Sequence, residues 1–358
     1  MNLSNINKIL AIEVNKLGDV VCATPAFYRL RKYFPNAELN ILVSESWASL
    51  FNETNYIDYI HKFPNNPSTF ILLKIGLQLR RLKFDLVCSL SPIVKNALLA
   101  HICATRYAIG YLDFEKRIPN YLKSPKIKSK GFSISPQPPS SYQISETALR
   151  VCDALGINEN ENSNHLYTFL NAQLLSTNDL ENLGIPCSVP FIIIHPFASW
   201  EFRSWSTKNT SELINLLHQN YSYHIVLIGS HFEKENLEKI KSMCDGQERI
   251  TIYAGDRIDR VALALKRCSL LISTDSGLLH LGTALGTPAI GLYGPVPPEL
   301  TAPPSKVNIY LYSKIDCSPC EQKKCVRPNN PCMNLITPME VFNNVSKIFI
   351  ERPLCEVA

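Results

Sequence analysis

The sequence predicts an α/β protein built from two doubly wound parallel sheets. The chain has 358 residues, of which 46% are hydrophobic, and this is enough for two ordinary cores. Strand-like and helix-like segments alternate along both halves. The halves are separated by a Lys-, Ser- and Pro-rich stretch at 118–142 and an Asn- and Ser-rich passage at 158–190. We therefore expect domains at 1–175 and 176–335, followed by a C-terminal helix and tail at 336–358 that return toward the first domain.

Apolar runs bounded by turn residues predict the strands, and longer segments between them predict the helices. The elements expected in the first half are a strand at 9–14, a helix at about 20–33, strand 38–43, helix 69–82, strand 85–90 and a helix at about 145–155. The elements expected in the second half are strand 191–195, helix 207–220, strand 224–228, helix 234–243, strand 249–253, helix 259–267, strand 269–274, helix 277–285, strand 289–292 and a helix at about 339–350. Neither half carries a GxGxxG motif after its first strand, which disfavours a dinucleotide-dependent dehydrogenase.

Composition narrows the class of protein. The formal net charge of +5 favours anionic partners, but it is too weak and dispersed to indicate nucleic-acid binding, and no RNA or DNA module is visible. The N-terminus enters a strand at once, without the pattern of a signal peptide. No apolar run approaches the roughly 20 residues needed to cross a bilayer. We therefore expect a protein of a reducing cytoplasm, with most of its twelve cysteines as thiols.

A buried strand that ends in a small polar turn and then opens a helix predicts a phosphate site in the second half. The strand ends at Asp275, Ser276 and Gly277. Asp275 is expected to cap the helix, and Gly277 lets an anion approach N–H groups that carry partial positive charge. His280 follows on the first turn, placed to contact the same anion. An ordinary helix cap without a ligand is the alternative.

Asp19 directly follows the first predicted strand and precedes a helix. Ligands of open α/β sheets bind outside the carboxyl ends of the strands. The Asp19 carboxylate is therefore expected at a binding site, where it can accept a proton from an attacking hydroxyl. The alternative is an aspartate that only caps the helix.

The segment 195–205 also leads from a strand into a helix. Its small residues Ala198 and Ser199 permit close approach of a ligand, and Arg203 offers a fork of N–H donors that suits phosphate oxygens. Trp205 is expected to pack the start of the helix against the core. A solvated surface charge is the alternative for Arg203.

Together these loops resemble the heptosyltransferases of glycosyltransferase family 9, which build the inner core of bacterial lipopolysaccharide. Four motifs carry the resemblance, in the family's order: LGDVVCATPA at 17–26, the His-Pro loop at 195–205, Asp-Ser-Gly-x-x-His at 275–280 and Gly-Leu-Tyr-Gly-Pro at 291–295. The resemblance implies a GT-B fold, two Rossmann-like doubly wound domains facing each other across a cleft. It also implies ADP-L-glycero-D-manno-heptose as donor, held mainly by the C-terminal domain, and a lipid-linked oligosaccharide of the lipopolysaccharide inner core as acceptor.

The resemblance also implies roles for single residues. Asp19 is the implied general base of an inverting transfer. The implied donor-binding residues are Ser199, Arg203, Glu233, Asp275, Ser276, Gly277 and His280, with His231 as the alternative to Glu233 beside the ribose. The implied acceptor-binding residues are Lys95 and Arg117, with Lys116 as a further cation, and solvated surface charges are the alternative. Two departures from the family pattern are Phe197, where glycine is usual, and Arg203, where lysine is usual.

Four cysteines lie within sixteen positions near the C-terminus, at Cys317, Cys320, Cys325 and Cys332. A CxxC pair with two further thiolates predicts one tetrahedral structural site, with zinc as the favoured metal and iron as a lesser candidate. The same spacing is compatible with disulfide bonds and with free thiols. No cofactor is expected for the chemistry itself.

The leading prediction is an inverting ADP-heptose transferase at the cytoplasmic face of the bacterial inner membrane. A GT-B transferase with another nucleotide-sugar or a protein acceptor is the first alternative. A nucleotide-sugar-binding protein without catalysis is the second, and a GT-B epimerase is also conceivable.

Overall fold

The computed structural model describes residues 3, 5–52, 54–111, 144–157, 177–186, 188–255, 257–320, 325, 327 and 331–351. The chain divides into two compact units, Met1–Asn171 and Ala172–Ala358. The stretch at 118–142, the cations Lys116 and Arg117 and the predicted boundary near 175 lie outside the described residues. The domain limits therefore stay predictions.

The first unit contains a parallel sheet whose strand order is β3-β2-β1-β4-β5 in the described residues. Its elements are β1 Lys8–Glu13, α1 Leu17–Tyr33, β2 Glu38–Ser44, β3 Tyr59–Phe63, α2 Thr69–Arg80, β4 Leu86–Ser89, α3 Val94–Cys103, β5 Tyr107–Ile109 and α4 Ile144–Ala154. The helices cover both faces, as they must because both faces of a parallel sheet are apolar. One side of its core joins Leu10, Ile12, Phe63, Phe84 and Leu99.

The second unit contains a parallel sheet of order β11-β10-β9-β6-β7-β8 in the described residues. Its elements are α5 Thr177–Glu181, β6 Phe191–His195, α6 Thr207–Asn220, β7 His224–Gly229, α7 Lys234–Ser242, β8 Ile250–Ala254, α8 Ile258–Arg267, β9 Leu270–Thr274, α9 Gly277–Ala284, β10 Ala289–Tyr293, α10 Pro298–Thr301, β11 Ile309–Tyr312, α11 Pro331–Asn334 and α12 Pro338–Glu351. The C-terminal helix α12 was expected to return toward the first domain, and its Val341 and Val345 are buried in the core of the second unit.

The predicted strands and helices occur close to their expected positions, with one change that bears on function. Helix α1 begins at Leu17, three residues before the expected start, so Asp19 lies inside its first turn rather than in the loop before it. The structure adds the strands β3, β5 and β11 and the helices α3, α5, α10 and α11. The three strands escape prediction because β3 and β11 are partly exposed edge strands and β5 has three residues.

In each sheet, a central strand is flanked by crossovers that leave in opposite directions. This topological switch point lies between β1 and β4 in the first unit and between β6 and β9 in the second. Ligands of open α/β sheets bind at such points, outside the carboxyl ends of the strands. Of the helices in the described ranges, none is long and apolar enough to cross a membrane.

Candidate active site

The first-unit site is a cluster of polar side chains at the β1/β4 switch point, made of Glu13, Asn15, Asp19, Ser91 and Asn96, which we call the carboxylate site. Glu13 ends β1 and Asp19 lies in the first turn of α1. Ser91 follows β4, and Asn96 lies near the start of α3. An open cavity of about 210 Å³ lies beside Glu13, Asn15, Asp19 and Ser91. Residues far apart in sequence therefore meet at the position where a ligand is expected.

Hydrogen bonds connect the two carboxyl groups. The Asn15 side chain donates to Asp19 Oδ2, and the Asn15 backbone N–H donates to Glu13 Oε1 across 3.3 Å. Asn96 Nδ2 donates to Glu13 Oε1 at 3.2 Å and to Ser91 Oγ at 2.8 Å. The Asn15 carbonyl is itself held by Trp47 Nε1, 3.1 Å away. The orientation of both carboxyl groups is thus fixed by neighbours on separate elements.

The electrostatics of the site assign different protonation states to the two acids. Burial, followed by the charge of Asp19, raises the pKa of Glu13 to about 8. Burial also raises the pKa of Asp19, while the bond from Asn15 and the charge of Lys16 act in the opposite direction. Two carboxylates at one site cannot both ionise cheaply. Glu13 therefore holds a proton at neutral pH and leaves the charge to Asp19.

Lys95 is close to this site. It is the second residue of α3, and its Nζ lies 5.4 Å from the centroid of the Phe63 ring. Burial lowers the pKa of Lys95, and the charge of Glu13 acts to raise it. The structure thus brings the predicted acceptor-binding lysine to the carboxylate site.

The second-unit site lies in the loops after β6 and β9, at the other switch point. Arg203 Nη1 donates to Asp275 Oδ2 at 2.7 Å, and its guanidinium lies 4.4 Å from the centroid of the Trp200 ring. Burial is the main reason that the pKa of Asp275 is raised, and the charge of Arg203 acts to lower it. The expected capping role of Asp275 is wrong, because Ser276 is the N-cap of α9 and the Asp275 carboxylate faces Arg203.

His195 joins the same two loops and was not predicted as a site residue. Its Nδ1 lies 3.2 Å from Ser276 Oγ and 3.4 Å from Ser273 Oγ. Burial lowers the pKa of His195 to about 4, while the charge of Glu233 acts to raise it. The sequence feature that could have identified His195 as a site residue is its position at the end of a buried strand.

The remaining predicted donor residues differ in placement. Gly277 begins α9, where helix geometry leaves the first N–H groups without intrahelical partners. Burial lowers the pKa of His280 to about 4, so it is neutral at pH 7. Ser199 is exposed in the loop after β6. Glu233 accepts from the backbone N–H of Ser230 at 2.6 Å and from its hydroxyl at 2.8 Å, which stabilises the turn before α7.

The loop accommodates the large side chain of Phe197 at a position where the family usually has glycine. Its side chain is buried in the core of the second unit. Its carbonyl accepts a 2.7 Å bond from Thr274 Oγ1 on β9. Trp205 is buried as expected and donates to the Ile336 carbonyl at 3.0 Å.

The four clustered cysteines, Cys317, Cys320, Cys325 and Cys332, all line one small cavity of about 20 Å³. They are free thiols, as are Cys22, Cys88, Cys103, Cys152, Cys244 and Cys268. Within the described ranges, no three His, Cys, Asp or Glu side chains form a group that could hold a metal ion. The arrangement therefore gives the expected zinc site no support.

Two solved structures align with this chain over nearly its whole length. E. coli ADP-heptose lps heptosyltransferase II aligns with a TM-score of 0.77 and 18% identity, over 97% of this chain and all (100%) of that one. E. coli heptosyltransferase WaaC with ADP-2-deoxy-2-fluoro heptose aligns with a TM-score of 0.70 and 19% identity, over 95% and 99% of the two chains. The GT-B fold expected from the sequence is thereby confirmed.

Sequence comparison points to the same family. Lipopolysaccharide heptosyltransferase 3 of Escherichia coli is 23% identical over 288 residues, which is 77% of this chain and 80% of that protein. The profile of glycosyltransferase family 9 (heptosyltransferase) matches residues 72–330, and this range contains the loops after β6 and β9. The resemblance seen in the motifs is confirmed, and the chain belongs to glycosyltransferase family 9, the heptosyltransferases.

Proposed function

We propose that the protein transfers heptose from ADP-L-glycero-D-manno-heptose to a sugar of the lipopolysaccharide inner core, with inversion at the anomeric carbon. The relatives support the substrate class, because they are heptosyltransferases of lipopolysaccharide and one was solved with an ADP-heptose analogue. The observation that carries the chemistry is the carboxylate site: an oriented Asp19 beside a buried Glu13, at a switch point with an open cavity.

In the proposed reaction Asp19 is the general base. Its carboxylate takes the proton from the acceptor hydroxyl while the oxygen attacks the anomeric carbon. The new C–O bond forms as the bond to the diphosphate breaks, and ADP leaves with the electron pair. A raised pKa suits this role, because a base is most effective when its pKa lies near the operating pH.

Glu13 supports Asp19 in this proposal without contacting the substrate. Because Glu13 keeps its proton at neutral pH, a single negative charge stays at the site and belongs to Asp19. Asn15 then holds that carboxylate in one orientation through its side-chain amide. Glu13 and Asn15 are positioning residues.

The donor diphosphate is proposed to bind in the loops after β6 and β9. Arg203 keeps further N–H donors beyond the one given to Asp275, and the amides of Ser276 and Gly277 start α9, where partial positive charge stabilises an anion. His280 is neutral and so contributes a hydrogen bond rather than a charge. Ser199 is proposed beside the phosphates and Glu233 beside the ribose.

On the acceptor side we propose contacts from Lys95 and Arg117 to the anionic part of the core oligosaccharide. Because the acceptor is lipid-linked, the enzyme is placed at the cytoplasmic face of the inner membrane. The transfer itself needs no cofactor in this proposal.

The test is transfer by Asp19→Asn, measured with purified ADP-heptose and a delipidated core oligosaccharide. We expect kcat to fall by about 10²–10⁴-fold, because the base is lost, with an unchanged Kd for ADP. Asp153→Asn is the control, since Asp153 is half-exposed in α4 and pairs with Arg29. An Asp19→Asn enzyme with wild-type kcat would refute the mechanism.

Binding measurements separate heptose transfer from the two competing functions. A wild-type protein that binds ADP-heptose tightly and forms no product with any acceptor would favour a binding protein without catalysis. Preference for UDP over ADP would favour a transferase with another nucleotide-sugar.

A structural zinc at Cys317, Cys320, Cys325 and Cys332 stays a proposal from the sequence and takes no part in the transfer. The CxxC spacing in the sequence motivates it, and in the described residues the four thiols form no ligand group. Elemental analysis of the purified protein tests it: one zinc per chain, lost in Cys320→Ser, would support it, and a metal-free protein would refute it.

A further inference from the structure

Helix α2 exposes a stripe of large apolar side chains. Phe70, Leu73 and Leu77 keep 74%, 42% and 56% of their surface exposed. Their spacing of three and seven residues places them on one face of the helix. A soluble protein rarely leaves such a row in water without a binding role.

The opposite face of α2 is tightly packed, so the stripe is not a side effect of a loose helix. Leu72, Gly76 and Leu79 are buried. A Cβ on Gly76 would lie only 2.7 Å from Ile102 Cγ2 on α3, so the glycine permits close contact of the two helices. Cys103 Sγ lies 3.7 Å from the Gly76 carbonyl. The helix therefore packs against α3 with its apolar stripe outward.

The segment that carries the stripe is basic. The segment 59–84 contains five Lys and Arg residues and no Asp or Glu. Lys74 and Arg81 are exposed, and helical spacing puts them on the same side as Phe70 and Leu77. An apolar stripe with a basic margin is the pattern of helices that lie in the surface of an anionic bilayer.

The position of α2 connects this surface with the carboxylate site. The strands of the first sheet are parallel, so α2 leaves β3 at the same sheet edge at which Glu13 ends β1. Phe63, the last residue of β3, lies beneath Lys95 Nζ at 5.4 Å from ring centroid to nitrogen. The strand that leads into the exposed helix thus ends next to Lys95, one of the residues proposed to bind the acceptor.

We propose that α2 docks the protein on an anionic phospholipid membrane, with Phe70, Leu73 and Leu77 in the headgroup boundary and Lys74 and Arg81 against the lipid phosphates. Docking would hold the carboxylate site at the height of a lipid-linked acceptor, and in this respect the inference rests on the proposed function. A second copy of the chain is the competing occupant of the stripe.

The experiment is co-sedimentation of the full-length protein with vesicles of phosphatidylglycerol and phosphatidylethanolamine. Leu77→Ser is expected to lower the partition coefficient about fivefold and Phe70→Ser with Leu77→Ser about fiftyfold. Lys74→Gln with Arg81→Gln is expected to lower it about twentyfold, and vesicles of phosphatidylcholine alone to bind weakly. Leu335→Ser is the matched control, since Leu335 lies in the second unit and is also 56% exposed.

The outcomes separate the docking proposal from the proposed function. The docking proposal is supported if the wild type binds anionic vesicles, Leu77→Ser weakens that binding and Leu335→Ser leaves it unchanged. This holds even if no heptose is transferred. No binding to anionic vesicles, or equal loss in both leucine variants, overturns it, even if the delipidated acceptor is glycosylated. A dimer in solution that Phe70→Ser with Leu77→Ser converts to a monomer, without vesicle binding, would assign the stripe to self-association.

Discussion

At the scale of single residues, the buried proton on Glu13 makes the stability of the first unit depend on pH. The folded-state pKa is about 8, against 4.5 for the exposed carboxyl of an unfolded chain. Between these values the folded state binds one more proton than the unfolded state. The free energy of unfolding therefore falls as pH rises through this window, by up to ~1.4 kcal/mol per pH unit, and the loss is complete above about pH 8.

Glu13→Gln removes this titration. We expect the free energy of unfolding of the variant, measured by urea denaturation from pH 5 to 9, to depend less steeply on pH than that of the wild type. Glu38→Gln is the control, because bonds from Asn40 and Lys8 lower the pKa of Glu38, so its stabilisation is lost only as pH falls below about 4.5. Parallel curves for wild type and Glu13→Gln would show that Glu13 is ionised in the folded protein.

The sequence predicted Asp19 and not Glu13, and the reason is physical. Asp19 lies at a strand-to-helix junction, where local pattern alone suggests a ligand site. Glu13 ends a strand whose four preceding residues, 9–12, are apolar, and its role depends on Asn96, which is 83 positions away. Asp275 shows an error of the opposite kind. Its local pattern predicted a helix cap, but its carboxylate instead accepts a hydrogen bond from Arg203, 72 positions away.

At the scale of elements, the Arg203–Asp275 pair joins the loop after β6 to the end of β9. Arg203→Ala leaves a buried carboxylate without its partner, and we expect a loss of ~2–3 kcal/mol in the free energy of unfolding at pH 7. Arg203→Ala with Asp275→Asn should cost at least ~1 kcal/mol less than the sum of the two single variants. Chemical denaturation of the four proteins measures this coupling.

The exposed pair Lys208 and Glu212 on α6, 3.7 Å apart, is the control for that cycle. Its removal is expected to cost no more than ~0.5 kcal/mol, because exposed ion pairs contribute little. Strictly additive costs for Arg203 and Asp275 would show that the guanidinium and the carboxylate act independently.

Elements were predictable where their own residues determine them. Buried strands such as β6 and β9 and the capped helix α6 lie at their expected positions. The edge strands β3 and β11 form because they pair with β2 and β10, and their own sequences carry only weak alternation. The start of α1 shifted because Leu17 packs into the core, a tertiary contact that no local pattern shows.

At the scale of the whole molecule, two units with separate cores should respond differently to a nucleotide. ADP at one hundred times its Kd adds ~2.7 kcal/mol to the free energy of unfolding of the unit that binds it. For a unit of this size we expect the second unit's melting temperature to rise by about 5–10 °C. The first unit should gain nothing directly.

Tryptophan fluorescence can follow the second unit alone. The chain has three tryptophans, and Trp47→Phe leaves only Trp200 and Trp205, both in the second unit. The rise in melting temperature should appear with ADP. It should be smaller with UDP, and smaller with ADP in the Arg203→Ala variant. An equal rise with UDP would remove the adenine preference from the proposal.

The order in which the strands appear in the chain has a consequence for biosynthesis. In each sheet the site combines the end of the central strand with the end of a strand made much later: β1 with β4, and β6 with β9. A nascent chain on the ribosome therefore completes the carboxylate site once residues near 96 have emerged. It gains the loops proposed for the donor only after residue 277, when most of the polypeptide has already been translated.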